Sequence, residues 1–327
     1  MDKKEANMTS NREDNFFNRF LASSSAGIMI TIFVMLIAFA IVIPDFFTPA
    51  SFMNILVGAA LMGVVAIGES MLLIAGHFDL SPGGIAALSG VLLAVLIKAG
   101  VNAGLTVVIV LFVGMLIGLA NASLVNKLKF PPFIATLATA SAVRGVAYTI
   151  NRGQSAPVYN KSILFLGVGR ILGIPVPVWL LIIVTIFCLI LLKFTKFGKH
   201  VYAIGGDAYI SRLYGIKTDS VITILYVILA VLSALGGMLL ASRMNQAFPG
   251  GSQGLEFEAI TAAVLGGIAL NGGIGSLSGT IGGIFVLEGF KNGLLLFGLQ
   301  SYWQFVSSGF LLIIALSFDH IRRLLRR

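Results

Sequence analysis

The sequence contains few charged residues, few prolines and a single cysteine. Charged residues make up 11% of its 327 residues, whereas soluble proteins carry about 25%. A chain with 57% hydrophobic residues and so little charge cannot cover a soluble fold with polar surface, which excludes soluble enzymes and disordered chains. The 38 glycines fit helices that pack closely in lipid, because small residues let backbones approach each other.

Motifs for enzymatic chemistry are missing as well. The sequence has no Walker motif for ATP, no H-E-x-x-H metal motif and no G-x-S-x-G nucleophile motif. Cys188 lies in an apolar run and is interpreted as a packing residue, since there is no second cysteine for a disulfide. We therefore expect a chain that is not an enzyme and that holds no metal or cofactor.

Long apolar runs predict about ten membrane spans, each of roughly 20 residues. The expected fold is all-α and polytopic, with a polar cytoplasmic tail at residues 1–25 and one transmembrane domain at residues 26–327. A cytoplasmic loop is predicted at about residues 194–219, after the sixth of these spans. The predicted spans cover residues 26–43, 51–75, 84–98, 104–125, 132–150, 178–193, 220–241, 258–271, 277–297 and 303–318.

The distribution of positive charge predicts the orientation. The net charge is +9, but Lys and Arg cluster at the ends of apolar runs and do not alternate with exposed aromatics, which argues against nucleic acid as a partner. With the N-terminus inside, fifteen Lys and Arg fall on cytoplasmic segments and five outside. Both termini are then cytoplasmic, and the two five-span halves have opposite orientations, as in inverted repeats.

The segment at residues 76–84, GHFDLSPGG, interrupts an apolar stretch between two predicted spans. Asp79 precedes Ser81 and Pro82, and this order predicts a helix start with Ser81 as the cap and Pro82 in the first helical position. Two interpretations remain open: Asp79, Leu80 and Ser81 form a break beside a transport pathway, or they form an ordinary cytoplasmic turn. A break at membrane depth is tolerated only against protein or a water-filled cavity.

The predicted span at residues 132–150 begins with two prolines and carries a stripe of small and hydroxylated side chains. The stripe predicts either tight helix packing or a polar path, to which Pro132, Phe133 and Thr136 would contribute. Arg144 lies farther along the same span. Because an intramembrane charge is costly, Arg144 is expected to face an interior cavity or a partner, or to extend to the membrane surface.

The loop after the sixth predicted span contains a short helix signal. Asp207 is a favourable N-cap and Gly215 a favourable stop, so their spacing predicts about two helical turns between them. Ile210, Leu213 and Tyr214 then share one face, which suits docking into a groove on a partner. The alternative is a solvated loop helix without a partner.

Two further features of this loop bear on docking. Gly205 and Gly206 precede the short helix and are expected to let the chain turn into it. Arg212 is expected to point toward an acidic rim on the partner.

Near the C-terminus, residues 256–283 are rich in glycine, which permits tight helix crossing or a second chain break. Glu288 and Lys291 are three residues apart and are expected to form an ion pair on one helix face, with a proton relay as the alternative. Glu258 stands at a predicted span start and is interpreted as interfacial.

Four strings in this order resemble the membrane permease subunits of bacterial ABC importers for ribose, xylose, galactose and related monosaccharides. They are GHFDLSPGG, PPFIATLATASAVRG, GKHVYAIGGDAYISRLYGI and EAITAAVLGGIALNGGIGSLSGT. The match covers nearly the whole chain after the N-terminal tail. The chain departs from the family at His77-Phe78, where Gly-Ile is common, and at Lys291-Asn292, where Asn-Asn is frequent.

The resemblance implies a set of partners and a location. It implies a permease dimer in the bacterial inner membrane, expected to be a homodimer, with two cytoplasmic ATPase domains and a periplasmic sugar-binding protein. ATP and Mg²⁺ would be bound by the ATPase. The permease pair would switch between inward and outward openings when the ATPases close.

The resemblance also implies roles for individual residues. Asp79, Leu80 and Ser81 match an Asp-Leu-Ser signature of the family. The positions that match the loop carrying the family's coupling helix are Gly205, Gly206, Asp207, Arg212 and Gly215. Two alternatives stay open: a branched-chain amino acid permease of the wider superfamily, and an ion-coupled secondary transporter, which normally concentrates ionisable residues at mid-membrane.

Overall fold

The computed structural model describes Ile37, Phe39 and residues 41–300 and 302–325. These residues form twelve α-helices, a 3₁₀ turn at Pro44–Phe47 and four strands of two residues each. The first six helices are α1 (Pro49–Ile74), α2 (Pro82–Lys98), α3 (Ala103–Asn126), α4 (Pro132–Asn151), α5 (Lys161–Val168) and α6 (Val176–Phe194). The other six are α7 (Lys196–Gly206), α8 (Ala208–Leu213), α9 (Thr218–Met244), α10 (Leu255–Leu265), α11 (Leu277–Leu296) and α12 (Tyr302–Leu325).

The strands form two small antiparallel pairs. β1 (Ala156–Pro157) pairs with β4 (Gln246–Ala247), and β2 (Arg170–Ile171) pairs with β3 (Ile174–Pro175). Leu172 and Gly173 connect the second pair with positive φ angles of 53° and 79°, which matches the twist of a two-residue hairpin turn. Residues 151–177, which connect α4 to α6, therefore contain α5 and this hairpin.

Five of the helices are long and apolar enough to cross a membrane, namely α1, α3, α4, α6 and α9. Each begins and ends within three residues of a predicted span, so the predominantly helical membrane fold is confirmed. α2 is a shorter apolar helix of 17 residues. The predicted span at residues 26–43 lies almost entirely outside the described residues, and the count of ten spans stays a prediction.

The predicted span at residues 258–271 is wrong in its extent. α10 ends at Leu265, and the chain leaves the helix before α11 begins. Gly267, Gly272 and Gly273 adopt positive φ angles of 85°, 84° and 76°, which an α-helix does not contain. With 11 residues, α10 is roughly 16 Å long, about half of the hydrocarbon thickness of a bilayer.

Helices α1 and α9 form the centre of the bundle. α9 packs against α1, α2 and α3, whereas α1 also packs against α6, α10 and α11. Their interior carries large side chains that are fully buried, such as Met71 on α1 and Tyr226 on α9. α3 and α4 lie at the outside, where Phe112 and Ile134 are among their exposed apolar side chains, as lipid-facing surfaces require.

The bundle has two ends with different elements. α6 runs from β3 to α7, and α9 runs from α8 to β4. α7 and α8 therefore lie at one end, which we call the α8 end, and the strand pairs lie at the other, the hairpin end. Residues 194–219, predicted as a loop with one short helix, are mostly helical in the structure.

Candidate functional site

The chain between α1 and α2 leaves the helical conformation at residues 75–81 while it is still inside the bundle. Asp79, Leu80 and Ser81 are buried, with exposed fractions of 0%, 5% and 0%. A non-helical backbone in this position has N–H groups that need partners from elsewhere in the protein. We call this segment the break.

The carboxylate of Asp79 accepts two hydrogen bonds, one from within the break and one from α3. Its Oδ1 accepts the backbone N–H of Ser81 at 2.6 Å, and its Oδ2 accepts a hydrogen bond from Asn121 Nδ2 of α3 at 3.0 Å. The same Asn121 nitrogen donates to Ser81 Oγ at 2.8 Å. One amide of α3 thus fixes two side chains of the break.

Side chains of three further helices hold the backbone of the break. Glu69 of α1 accepts the Asp79 N–H at 3.2 Å, and Thr136 of α4 accepts the Leu80 N–H at 3.0 Å. Tyr226 of α9 donates its hydroxyl hydrogen to the Phe78 carbonyl at 3.3 Å. The break is therefore attached to α1, α3, α4 and α9 at once.

The helix start at Pro82 was correctly expected, but the cap was not. Pro82 occupies the first position of α2, yet Ser81 makes no side-chain cap hydrogen bond to the helix. Its hydroxyl accepts a hydrogen bond from Asn121 instead.

Among the described residues, no three His, Cys, Asp or Glu side chains are grouped so that they could hold a metal ion.

α4 carries the remaining predicted pathway residues. Pro132 begins the helix, Phe133 is 50% exposed, and Thr136 is fully buried where it meets Leu80. α4 packs chiefly on α2 and also on α3, which leaves much of its surface uncovered. This uncovered surface includes small and hydroxylated side chains as well as apolar ones, among them Ala138, Ser141, Gly145 and Thr149.

Arg144, also on α4, faces the protein interior. Its Nη1 donates to the Gly251 carbonyl at 3.4 Å, and its Nη2 lies beside Gly83 of α2. The sequence left open whether Arg144 faces the interior or extends to the membrane surface, and in the structure it faces the interior. Thr136 thus contacts the break and Arg144 lies beside the first turn of α2, whereas Phe133 is half-exposed on the outer surface.

The short helix predicted between Asp207 and Gly215 is present as α8. Asp207 Oδ1 accepts the Ile210 N–H at 2.8 Å, and Gly215 has the positive φ of 80° that ends a helix. Ile210, Leu213 and Tyr214 are 49%, 70% and 84% exposed. α8 therefore presents apolar side chains that nothing in the described chain covers.

Arg212 does not extend away from the chain as expected. Its Nη2 lies 2.9 Å from Asp219 Oδ1, and its Nε donates to Thr218 Oγ1 at 2.7 Å. Arg212 thus joins α8 to the first turn of α9. Arg212 therefore pairs with Asp219 of its own chain, whereas the sequence analysis expected it to face acidic side chains of a partner.

Gly205 and Gly206 form the last turn of α7 and not a flexible turn between helices. A methyl group on Gly205 would overlap the Ile74 carbonyl and the Gly273 backbone nitrogen, whereas one on Gly206 would meet nothing within 4 Å. Gly273 N–H donates to that same Ile74 carbonyl at 2.8 Å. Gly205 therefore lets α7 contact the end of α1 and the loop after α10.

Tyr202 strengthens this contact one turn earlier on α7. Its hydroxyl donates to the Gly275 carbonyl at 3.0 Å. Burial raises the pKa of the Tyr202 hydroxyl, so the group stays protonated and remains a donor. The junction of α7, α1 and the loop after α10 is therefore held by both backbone and side-chain bonds.

An ion cluster lies beside the first half of α1, away from the junction at Ile74. Lys291 Nζ is 3.0 Å from Glu288 Oε1, as the spacing predicted, and 2.7 Å from Glu258 Oε2 of α10. Gly58 of α1 makes room for this cluster, since a methyl group there would overlap Glu288 Oε2. Glu258, interpreted from the sequence as interfacial, lies in the first turn of α10, where its side chain is only 17% exposed and ion-paired.

A family model described as "Branched-chain amino acid transport system / permease component" matches residues 51–316. The chain belongs to this permease family. The permease is 36% identical to the ribose import permease protein RbsC of Bacillus subtilis (strain 168) over 295 residues, which cover 90% of this chain and 92% of the relative. It is 36% identical to the L-arabinose transport system permease protein AraH of Escherichia coli (strain K12) over 301 residues, 92% of each chain.

A third relative shows the similarity over nearly the whole permease. The ribose import permease protein RbsC of Haemophilus influenzae (strain ATCC 51907 / DSM 11121 / KW20 / Rd) is 32% identical over 318 residues, 96% of this chain and 98% of the relative. No solved structure matches the permease. The chain is thus a transport permease subunit of this family, similar to these proteins over at least 92% of their length.

Proposed function

We propose that this permease is the membrane subunit of an ABC importer for a monosaccharide and forms the path by which the sugar crosses the inner membrane. The observation that carries the proposal is the similarity, over at least 90% of the chain, to permeases named for ribose and L-arabinose. The description of the family names branched-chain amino acids, which makes an amino-acid permease the second candidate.

In this proposal the chain crosses the membrane ten times, with both termini and the α8 end in the cytoplasm. The excess of Lys and Arg supports this orientation, because Lys127, Lys129, Lys193, Lys196 and Lys199 all belong to connections at the α8 end.

The packing of the helices supports two inverted halves. α9 packs against α2 and α3, and α1 packs in the same way against α10 and α11. α2 contacts α4, just as α10 contacts α12. Exchanging α1, α2, α3 and α4 for α9, α10, α11 and α12 reproduces these contacts, as expected of halves related by a twofold axis in the membrane plane.

The uncovered face of α4 suits a path between two copies of the permease. Lipid offers no hydrogen bonds to hydroxyl groups, whereas water in a pathway does. Ser141 and Thr149 are exposed on this face; their hydroxyls donate to the Leu137 and Gly145 carbonyls of α4, and water in a path could donate to the hydroxyl oxygens. We infer a homodimer whose α4 helices face a common path, with Pro132, Phe133, Thr136 and Arg144 on α4 and the break of Asp79, Leu80 and Ser81 behind them.

The exposed face of α8 supports a role as the docking site for an ATPase subunit. A helix of six residues is marginal in water by itself, so it gains stability from its Asp207 cap and from a partner. Ile210, Leu213 and Tyr214 supply the apolar contact in this proposal. The ATPase binds ATP and Mg²⁺, and a periplasmic binding protein delivers the sugar to the hairpin end.

Motion of α8 has a direct route into the bundle. α8 follows α7 without a loop, and Gly205 of α7 contacts Ile74 at the end of α1. The break begins one residue after Ile74, and it contacts α3, α4 and α9. A shift of α7 would therefore displace the break together with the helices that flank the proposed path.

The test is the composition of the native complex. A tagged permease purified from its own host should carry an ATPase subunit, and a periplasmic protein bound to the complex should contain a monosaccharide detectable by mass spectrometry. Purification without an ATPase would contradict the ABC assignment. A bound branched-chain amino acid in place of a sugar would transfer the assignment to the second candidate.

A further inference from the structure

A cavity of about 370 Å³ lies between α2, α9 and the chain segment that follows α9. Its lining includes Met244 and Phe248, which are 59% and 49% exposed, and the strand β4 forms part of it. Because β4 lies at the hairpin end, the cavity opens there. Its volume is within the range of about 300–1,000 Å³ that is common for small-molecule sites.

Small residues of the two helices form the inner wall of the cavity. Ala86 and Gly90 come from α2, and Gly237 and Ala241 come from α9. The helices are in close contact here, since a methyl group on Gly237 would overlap the Ala86 carbonyl. None of these four residues has a side chain larger than a methyl group, which leaves room for a ligand beside the contact.

Three polar side chains complete the lining. Ser155 precedes β1 and Gln246 lies in β4, so the antiparallel pairing of these strands holds both at the cavity, and Ser252 follows in the loop to α10. Within the described part of the chain, none of the three side chains makes a hydrogen bond. Serine hydroxyls and the glutamine amide both donate and accept, so they can bind the hydroxyl groups of a guest.

Among the described residues, the lining of the cavity has no charged side chain. A branched-chain amino acid carries an ammonium and a carboxylate, and burying such charges without partners is costly. A monosaccharide is neutral, with hydroxyl groups at its rim and C–H groups on its ring faces. The ring of Phe248 and the small apolar wall suit these C–H groups, and the three polar side chains suit the hydroxyl groups. The cavity therefore favours a sugar over an amino acid.

The rim of the cavity adjoins α4. Phe248 and Tyr148 of α4 meet at Gly250, where a methyl group would overlap the Phe248 ring and lie 3.0 Å from the Tyr148 hydroxyl oxygen. Tyr148 is 42% exposed and so connects the rim to the uncovered face of α4. A guest that leaves the cavity beside Phe248 therefore reaches the helix that flanks the proposed path.

We propose that this cavity is the receiving site of the permease, where the monosaccharide binds after it enters from the hairpin end and before it passes along α4. In the receiving site, Ser155, Gln246 and Ser252 bind hydroxyl groups of the sugar, and Phe248 packs against its C–H groups. The inference rests on the proposed function and adds a sugar site within the permease itself.

The experiment fills the cavity in the complete complex, reconstituted in proteoliposomes with ATP inside and the binding protein outside. Gln246→Cys and Ser155→Cys each place a thiol in the lining, and Leu172→Cys, outside the lining at the same end, is the matched control. The thiols are modified from outside with the membrane-impermeant sulfonatoethyl methanethiosulfonate, which dithiothreitol removes, and mass spectrometry measures the modification. The native Cys188 is buried and should not react. Uptake of D-ribose, L-arabinose and L-leucine is measured together with the ATP hydrolysis that the binding protein stimulates.

Modification of Gln246→Cys or Ser155→Cys should abolish sugar uptake and preserve stimulated ATP hydrolysis, and dithiothreitol should restore uptake. Modified Leu172→Cys should transport sugar like the unmodified protein. Without any reagent, Gln246→Ala should slow sugar uptake about fivefold, as expected for the loss of one neutral hydrogen bond.

Three results would overturn the receiving site. They are sugar uptake that survives complete modification, no modification at either lining position, and uptake at the wild-type rate by Gln246→Ala. Loss of stimulated ATP hydrolysis together with uptake would also overturn it and would identify a contact surface for the binding protein. A wild-type complex that imports L-leucine and neither sugar would instead overturn the proposed function, and the sugar site with it.

Discussion

Lys291 Nζ lies 2.7 Å from Glu258 Oε2 and so joins α11 to the short helix α10. The same ammonium is 3.0 Å from Glu288 Oε1, and the three side chains are only 12–17% exposed. One cation thus compensates two carboxylates inside the bundle. Breaking a buried ion pair by removing one partner costs about 3–5 kcal/mol, because the other charge stays buried.

We therefore expect Lys291→Met to lower the thermal midpoint of the purified permease strongly. Glu258→Gln should lower it less, since Lys291 and Glu288 remain paired. Thermal unfolding in detergent measures both. A Lys291→Met protein as stable as the wild type would show that the ion cluster does not stabilise the fold.

Gly205 and Gly206 offer a matched pair of glycine substitutions. Both lie in the last turn of α7, so alanine raises helix propensity by about 1 kcal/mol in either case. Only Gly205→Ala forces α7 away from Ile74 and Gly273. Gly205→Ala should destabilise the protein and impair ATP-driven transport, whereas Gly206→Ala should be neutral or stabilising. Equal behaviour of the two variants would remove the proposed route from α8 to the break.

Leu213 tests the docking of α8. Leu213→Asp places a charge on a face that we expect to enter an apolar groove, so it should abolish co-purification of the ATPase and uncouple ATP hydrolysis from transport. The fold should survive because Leu213 is 70% exposed. Leu172→Asp is the control, since Leu172 is 88% exposed at the hairpin end. Normal ATPase binding by Leu213→Asp would leave α8 as a solvated helix.

Asp79 and Asn121 should be energetically coupled. Asp79→Ala leaves the Ser81 N–H without its acceptor and removes one of the two acceptors of the Asn121 amide, at a cost of about 1–3 kcal/mol. We expect slower transport in Asp79→Ala while the complex still assembles. Adding Asn121→Ala should cost less than it does in the wild type, and a double-mutant cycle of unfolding midpoints measures this. If the effects of the two substitutions on the unfolding midpoint simply add, and Asp79→Ala transports at the wild-type rate, the break is only a structural turn.

The orientation can be tested with single cysteines. The native Cys188 is buried and should not react with a membrane-impermeant maleimide. Leu172→Cys at the hairpin end should be labelled in intact spheroplasts, whereas Tyr209→Cys on α8, 72% exposed in the native residue, should be labelled only after permeabilisation. Labelling of Tyr209→Cys in intact spheroplasts would reverse the proposed topology.

Local signals in the sequence predict most helix ends and α8. Pro132 fixes the start of α4 because proline suits the first turn, and Asp207 and Gly215 fix the limits of α8. The spacing of Glu288 and Lys291 predicts their ion pair because both lie on one helix. These features depend on neighbours within one or two turns, which a sequence displays directly.

Contacts between distant segments could not be predicted in this way. Glu258 meets Lys291, and Arg212 meets Asp219, only because the helices pack as they do. The shortness of α10 was missed because hydropathy continues past Leu265 while the glycine conformations end the helix. Glu69 and Asn121 did carry a signal, since each is an isolated polar residue in a long apolar run, and such residues commonly mark functional sites.

The most direct test of the central claim is ATP-driven sugar uptake by the reconstituted complex. Proteoliposomes that contain the permease and its ATPase, with ATP on the α8 side and the binding protein on the hairpin side, should accumulate a labelled monosaccharide against its gradient. Accumulation should stop without ATP and should persist when ionophores dissipate proton and sodium gradients. Uptake that survives the omission of ATP but is lost with the ionophores would contradict the account and identify an ion-coupled transporter.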